Sequence, residues 1–151
     1  MSSRWLSLVL AVACCVLISS PAMAASPEDA YKSFIDLALK KDWAKVWEGM
    51  AKDTQVQFET TLKQLAEGGK VTLDDKTKPE DIKKMSGRDA FIKILSSDVK
   101  MAKGFQLENV KIKPLEKTAS SADLEVAAGE RTRVITMVME GGSWKYKGPK
   151  R

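Results

Sequence analysis

The chain has 151 residues, of which 30% are charged, with a formal net charge of +5, no histidine and two cysteines. Both cysteines, Cys14 and Cys15, lie near the N-terminus, so the rest of the chain has neither thiol nor imidazole. That excludes Ser-His-Asp and Cys-His nucleophiles and removes the ligands on which zinc, haem and iron–sulfur sites depend. No cofactor and no metal are expected, and any acid–base chemistry falls to Asp, Glu, Lys or Tyr.

Residues 1–24 read as an export signal. Arg4 supplies a positive n-region, and Trp5 to Ile18 is an uncharged, mostly apolar run. Its length, about 14 residues, suits a signal h-region and is short for a membrane span. Ser19, Ser20 and Pro21 break the run, and Ala22-Met23-Ala24 is a small-x-small cleavage pattern, which places the cut between Ala24 and Ala25. The product is expected to be periplasmic or secreted. An alternative is a weak lipobox, Ala11-Val12-Ala13-Cys14, whose Cys14 would carry lipid. No transmembrane anchor is expected in the mature chain, residues 25–151. That length suffices for one domain that buries roughly two-thirds of its unfolded surface. Its core must hold without the disulfides common in exported proteins. The lysines are dispersed, apart from a small cluster at Lys145, Lys147, Lys150 and Arg151. The plain reading of this charge is solubility. The absence of a dense basic stripe argues against nucleic acid as a partner.

Ser26-Pro27-Glu28-Asp29 opens a helix: Ser26 caps, Pro27 suits the first helical position and Asp29 sits three after the cap. Tyr31, Phe34, Ile35 and Ala38 follow at helical spacing. Asp42 caps a second helix, with Trp43, Val46, Trp47 and Met50 on one face. Thr54 and Gln57 form a second capping pattern, so a break near Asp53 is expected before Phe58, Leu62 and Leu65 continue the stripe to Gly68-Gly69. Residues 70–78 read as a loop or a loop with a short edge strand, Pro79 to Met85 as a brief helix, and Ser86 to Asp89 as the start of a third main helix that buries Phe91, Ile94 and Leu95.

After Gly104 the apolar period becomes two. Phe105 to Lys117 reads as a strand whose alternation slips near Asn109, which suggests a bulge. Ala122 to Ala127 is a second strand, with Asp123 and Glu125 on its polar, water-facing side. Arg131 to Glu140 is apolar on both faces around Ile135 to Met139 and should be central. Gly141-Gly142 signals a hairpin into a last strand, where Trp144 and Tyr146 point one way and Lys145 and Lys147 the other. The expected fold is α+β: three main N-terminal helices on a strongly curved antiparallel sheet of three to five strands, like a cone.

Three features carry a family resemblance: the helix from Pro27 that ends in Lys41-Asp42-Trp43, the Gly87-Arg88-Asp89 helix start, and the closing hairpin Arg133 to Tyr146 with Gly-Gly-Ser-Trp-Lys at its turn. Together they resemble the cone-shaped superfamily of nuclear transport factor two and the SnoaL-like proteins, in particular its small exported bacterial domains of unknown function. The resemblance implies a sheet curled around the helices, with a pocket open at one end. It also implies one of several roles: isomerase or dehydratase chemistry on a buried Asp helped by His or Tyr, ligand binding, or docking and dimerisation. This chain lacks the His.

The candidate pocket residues are Tyr31, Trp43, Trp47, Phe58, Met137 and Trp144, all of which also suit core packing. Met50, Met85 and Met139 would soften such a pocket. An enzyme would pair Tyr31 with Asp36 or Asp53. Asp74, Asp75, Glu80 and Asp81 form an acidic stretch without EF-hand spacing. The expected role is non-catalytic: binding a small apolar or amphipathic ligand, or serving as an interaction module that dimerises through the sheet. The alternatives are a His-free isomerase or dehydratase, and a basic module that binds an envelope polymer through the C-terminal lysines.

Overall fold

The computed structural model describes residues 25–68 and 77–150, and within them the chain is α+β. The first helix, α1 (Pro27–Leu39), begins as its sequence dictates. Ser26 Oγ accepts a hydrogen bond from the Asp29 backbone N–H at 3.1 Å and donates to the Asp29 carboxylate at 2.8 Å. Tyr31, Phe34, Ile35 and Ala38 are buried along one stripe of it. Asp42 caps α2 (Trp43–Glu48) by accepting from the Lys45 N–H.

The helix break falls at Gly49–Ala51, earlier than the Thr54 pattern predicts. Here the chain leaves the helix to pair with the last strand. Ala51 N–H donates to Tyr146 O at 2.8 Å, and Tyr146 N–H donates to Gly49 O at 2.9 Å. The next helix, α3 (Lys52–Glu67), has no side-chain cap from its own start. The Glu140 carboxylate accepts from the Lys52 N–H instead, and Thr54 Oγ1 donates to Lys147 O. Its end at Gly68 agrees with the sequence; residues 69–76, most of the expected loop, lie outside the described residues, as do the signal region and Cys14. The helices α4 (Pro79–Lys84) and α5 (Gly87–Ser97) follow, the latter capped by Ser86 and Asp89 just as α1 is by Ser26 and Asp29. A short α6 (Val99–Lys103), which no apolar period announces, completes the helical half.

Four antiparallel strands come next, β1 (Lys111–Lys117), β2 (Ser121–Ala128), β3 (Arg131–Glu140) and β4 (Ser143–Pro149), in the spatial order β1-β2-β3-β4. The first begins later than the alternation suggests. Asn109 has φ 52°, so the slip there is a left-handed turn ahead of the strand and not a bulge within it. The sheet does carry two register shifts, at Leu115 in β1 and at Lys147 in β4, where Gly148 has φ 133°. Such bulges sharpen the twist of a strand. The β3–β4 turn needs both its glycines, since Gly141 and Gly142 have φ 56° and 79°. As expected, β3 is interior, paired with β2 on one side and β4 on the other.

Ala122, Leu124, Val126, Ile135, Met137 and Trp144 turn one sheet face toward α1 and α2 and bury there with Tyr31, Phe34, Val46 and Trp47. A smaller cluster, Leu62, Ala66, Ile82, Ala90 and Ile94, joins α3, α4 and α5.

Candidate functional site

The N-terminal helix and the last strand together build an aromatic wall. The Tyr146 ring stacks on Phe34 at 4.9 Å between centroids and on Tyr31 at 5.9 Å, and Tyr31 stacks on Phe34 at 6.1 Å. Strand parity explains Tyr146: it shares a face with Trp144 and lies opposite Met137 in the register. Phe105, just after α6, tilts onto Phe34 at 6.4 Å. These rings, with Ile35, Gly104 and Arg133, enclose a hollow of about 150 Å³. Arg133 reaches it because it sits on the inward parity of β3 with Ile135 and Met137, opposite Val126. A second hollow of about 160 Å³ shares Gly104 and Arg133 with the first.

The electrostatics of the hollow follow from burial. Tyr31 is 1% exposed, and burial pushes its phenol pKa upward, with the nearby Arg133 guanidinium partly offsetting the rise. Burial raises Tyr146 as well; the neighbouring Tyr31 adds to the rise and Arg133 opposes it. Both phenols are therefore protonated at neutral pH and can donate hydrogen bonds. Among the described residues no carboxylate lines this hollow.

Of the residues singled out in the sequence, Tyr31 lines the hollow and the others do not. Trp47 packs edge-on against Phe58 at 5.8 Å and tilts onto Phe91 at 5.3 Å, inside the core. Trp43 and Met137 are also buried in that core, with Met50. Met139 packs at its margin, and Met85 flanks the smaller helical cluster. Trp144 is buried with the Lys117 ammonium 5.8 Å from its ring centroid. Phe34, Phe105, Arg133 and Tyr146 also line the hollow and were not among the pocket candidates read from sequence. The available signal was an arginine on the apolar parity of β3 and a tyrosine on that of β4.

Neither carboxylate considered for acid–base work lines the hollow at Tyr31. Asp36 borders a separate groove with Lys32 and Leu39, and Asp53 is exposed in the first turn of α3. Asp123 corrects the reading of β2 as carrying a water-facing acid. It is only 9% exposed, accepting from Thr136 Oγ1 at 2.8 Å and from Lys150 Nζ at 2.6 Å. The Lys150 ammonium, then the Thr136 hydroxyl, holds its carboxyl below the usual range despite burial. The C-terminal lysines are partly engaged in the fold, since Lys145 Nζ also donates to Glu48 O at 2.7 Å. In the acidic stretch, Asp81 accepts from the Lys78 N–H at the start of α4, while Asp74 and Asp75 lie outside the described residues. Among the described residues no helix is long and apolar enough to cross a membrane. Compared with protein-family models, curated proteins and solved structures, the chain matches none.

Proposed function

We propose that the chain is an exported, non-catalytic binding domain whose ligand is a small amphipathic molecule held at Tyr31, Phe34, Phe105 and Tyr146. One observation carries the reading: an aromatic hollow into which two protonated phenols and a guanidinium converge with no carboxylate in its lining. Aromatic walls with a few placed polar groups are the usual make-up of a small-molecule site. Proton abstraction needs a base at the reacting atom, and neither phenols of raised pKa nor a guanidinium supply one at neutral pH. The helix-then-sheet order supports kinship with the cone-shaped superfamily, and the Ala22-Met23-Ala24 pattern supports export.

Two measurements test this. Mass spectrometry of the protein recovered from its native cells is expected to give a chain starting at Ala25; an intact Met1 would remove the export half. NMR spectra recorded with a set of single-ring compounds, charged and neutral, are expected to show shifts at Phe34, Phe105 and Tyr146. A set in which no member moves those signals would remove the binding half.

A further inference from the structure

The rim of the hollow gathers three cations, of which Arg133 faces the Tyr31 and Tyr146 phenols. Arg131 and Arg133 lie opposite Ala128 and Val126 in the β2–β3 register, two residues apart and so on one face. Lys103, at the end of α6, borders the second hollow with both of them, and Arg133 also borders the first. Some cations elsewhere do have a carboxylate partner: Lys45 with Asp42, Lys63 with Glu59, Lys150 with Asp123. Among the described residues Lys103, Arg131 and Arg133 have no carboxylate within ion-pair distance, and no acid lines either hollow. Like charges gathered beside apolar walls repel one another and draw an anion.

The steric side is equally specific. A hollow of about 150 Å³ has room for a group the size of benzene. Arginine presents a planar fork that matches a carboxylate, with charge-assisted hydrogen bonds stronger than neutral ones.

We propose that the site takes a small organic carboxylate, with its carboxylate on Arg133 and its single ring or short chain against Phe34 and Phe105. This rests on the binding role proposed above. The phenol of Tyr31 or Tyr146 supplies a further donor, and Lys103 and Arg131 add attraction at the mouth.

The test uses benzoate and its neutral counterpart benzamide, titrated by NMR at low salt into protein expressed from the full chain. Benzoate is expected to shift Phe34, Phe105 and Tyr146 and to bind at least tenfold more tightly than benzamide. Arg133→Gln, an exposed position, is expected to lower benzoate affinity at least tenfold and to lower it by more than it lowers benzamide affinity. If benzamide binds as tightly as benzoate and Arg133→Gln changes neither, the anion preference is wrong while the binding role stands. If neither compound moves the three signals, the carboxylate proposal falls, while the binding role is decided by the wider set of single-ring compounds. The benzoate–benzamide comparison is made on the unchanged protein, so it decides the matter even if the variant misfolds.

Discussion

Lys41 occupies a position that helices usually give to glycine. It has φ 58°, its N–H donates to Ala38 O at 3.0 Å, and the Asp42 N–H donates to Leu37 O at 2.9 Å. This is a Schellman ending to α1, with a side chain where the left-handed backbone disfavours one. Lys41→Gly is expected to raise stability by about 0.5–1 kcal/mol, after allowing for the greater freedom of glycine in the unfolded chain. Urea denaturation at neutral pH measures it, and an unchanged midpoint would show that Lys41 bears no strain. Asp123 gives a pH signature. Its folded pKa lies below the ordinary value of 3.8, so its contribution is complete above that value and is lost as pH falls through the depressed one. Lys150, raised above 10.5, contributes fully below its ordinary value and loses this as pH rises past the raised one. Denaturation midpoints of the parent chain should therefore fall below about pH 4 more steeply than those of Asp123→Asn. Parallel curves would deny the ion pair a role.

At the scale of the element, α3 shows why its start was misplaced in the sequence. Ser26 and Ser86 cap with partners three residues away, so α1 and α5 are visible locally. The cap of α3 is Glu140, 88 residues downstream, and no window of sequence contains both ends. Glu140→Ala should cost about 1 kcal/mol, the usual worth of a helix cap. Loosened hydrogen-exchange protection in the first turn of α3, with α1 unaffected, is the expected sign; uniform loss across both helices would contradict it. The same long-range logic hid the true start of β1. Phe105 and Leu107 alternate like strand residues, yet both pack on the core from a connection that turns at Asn109.

For the whole molecule, aromatic rings tie two layers together. Phe58 packs against both hydrophobic clusters, and Phe91 contacts Trp47, Phe58 and Phe105 with centroids at 5.3–5.9 Å. Phe91→Ala should cost about 3–5 kcal/mol through the cavity it leaves. Thermal unfolding that stays within 1 °C of the parent would refute this linkage. The fold class and the interior place of β3 were legible because period and parity are local properties. Of the residues that line the hollow, only Tyr31 was legible as a pocket candidate. Trp43 and Trp47 drew attention by size, and packing claimed both. Arg133 is ordinary by type and takes its meaning from the α1 and β4 rings gathered beside it, which only the tertiary arrangement reveals.

The two rims of the sheet differ. The outer side of β4 is occupied by Gly49–Ala51, whereas among the described strands β1 has one partner, β2. Lys111, Lys113, Lys117 and Pro114 line that bare strand, and charges and proline discourage strand addition there. Should it pair nonetheless, two copies meeting rim to rim would use up the open strand edges among the described residues and stop as a closed pair.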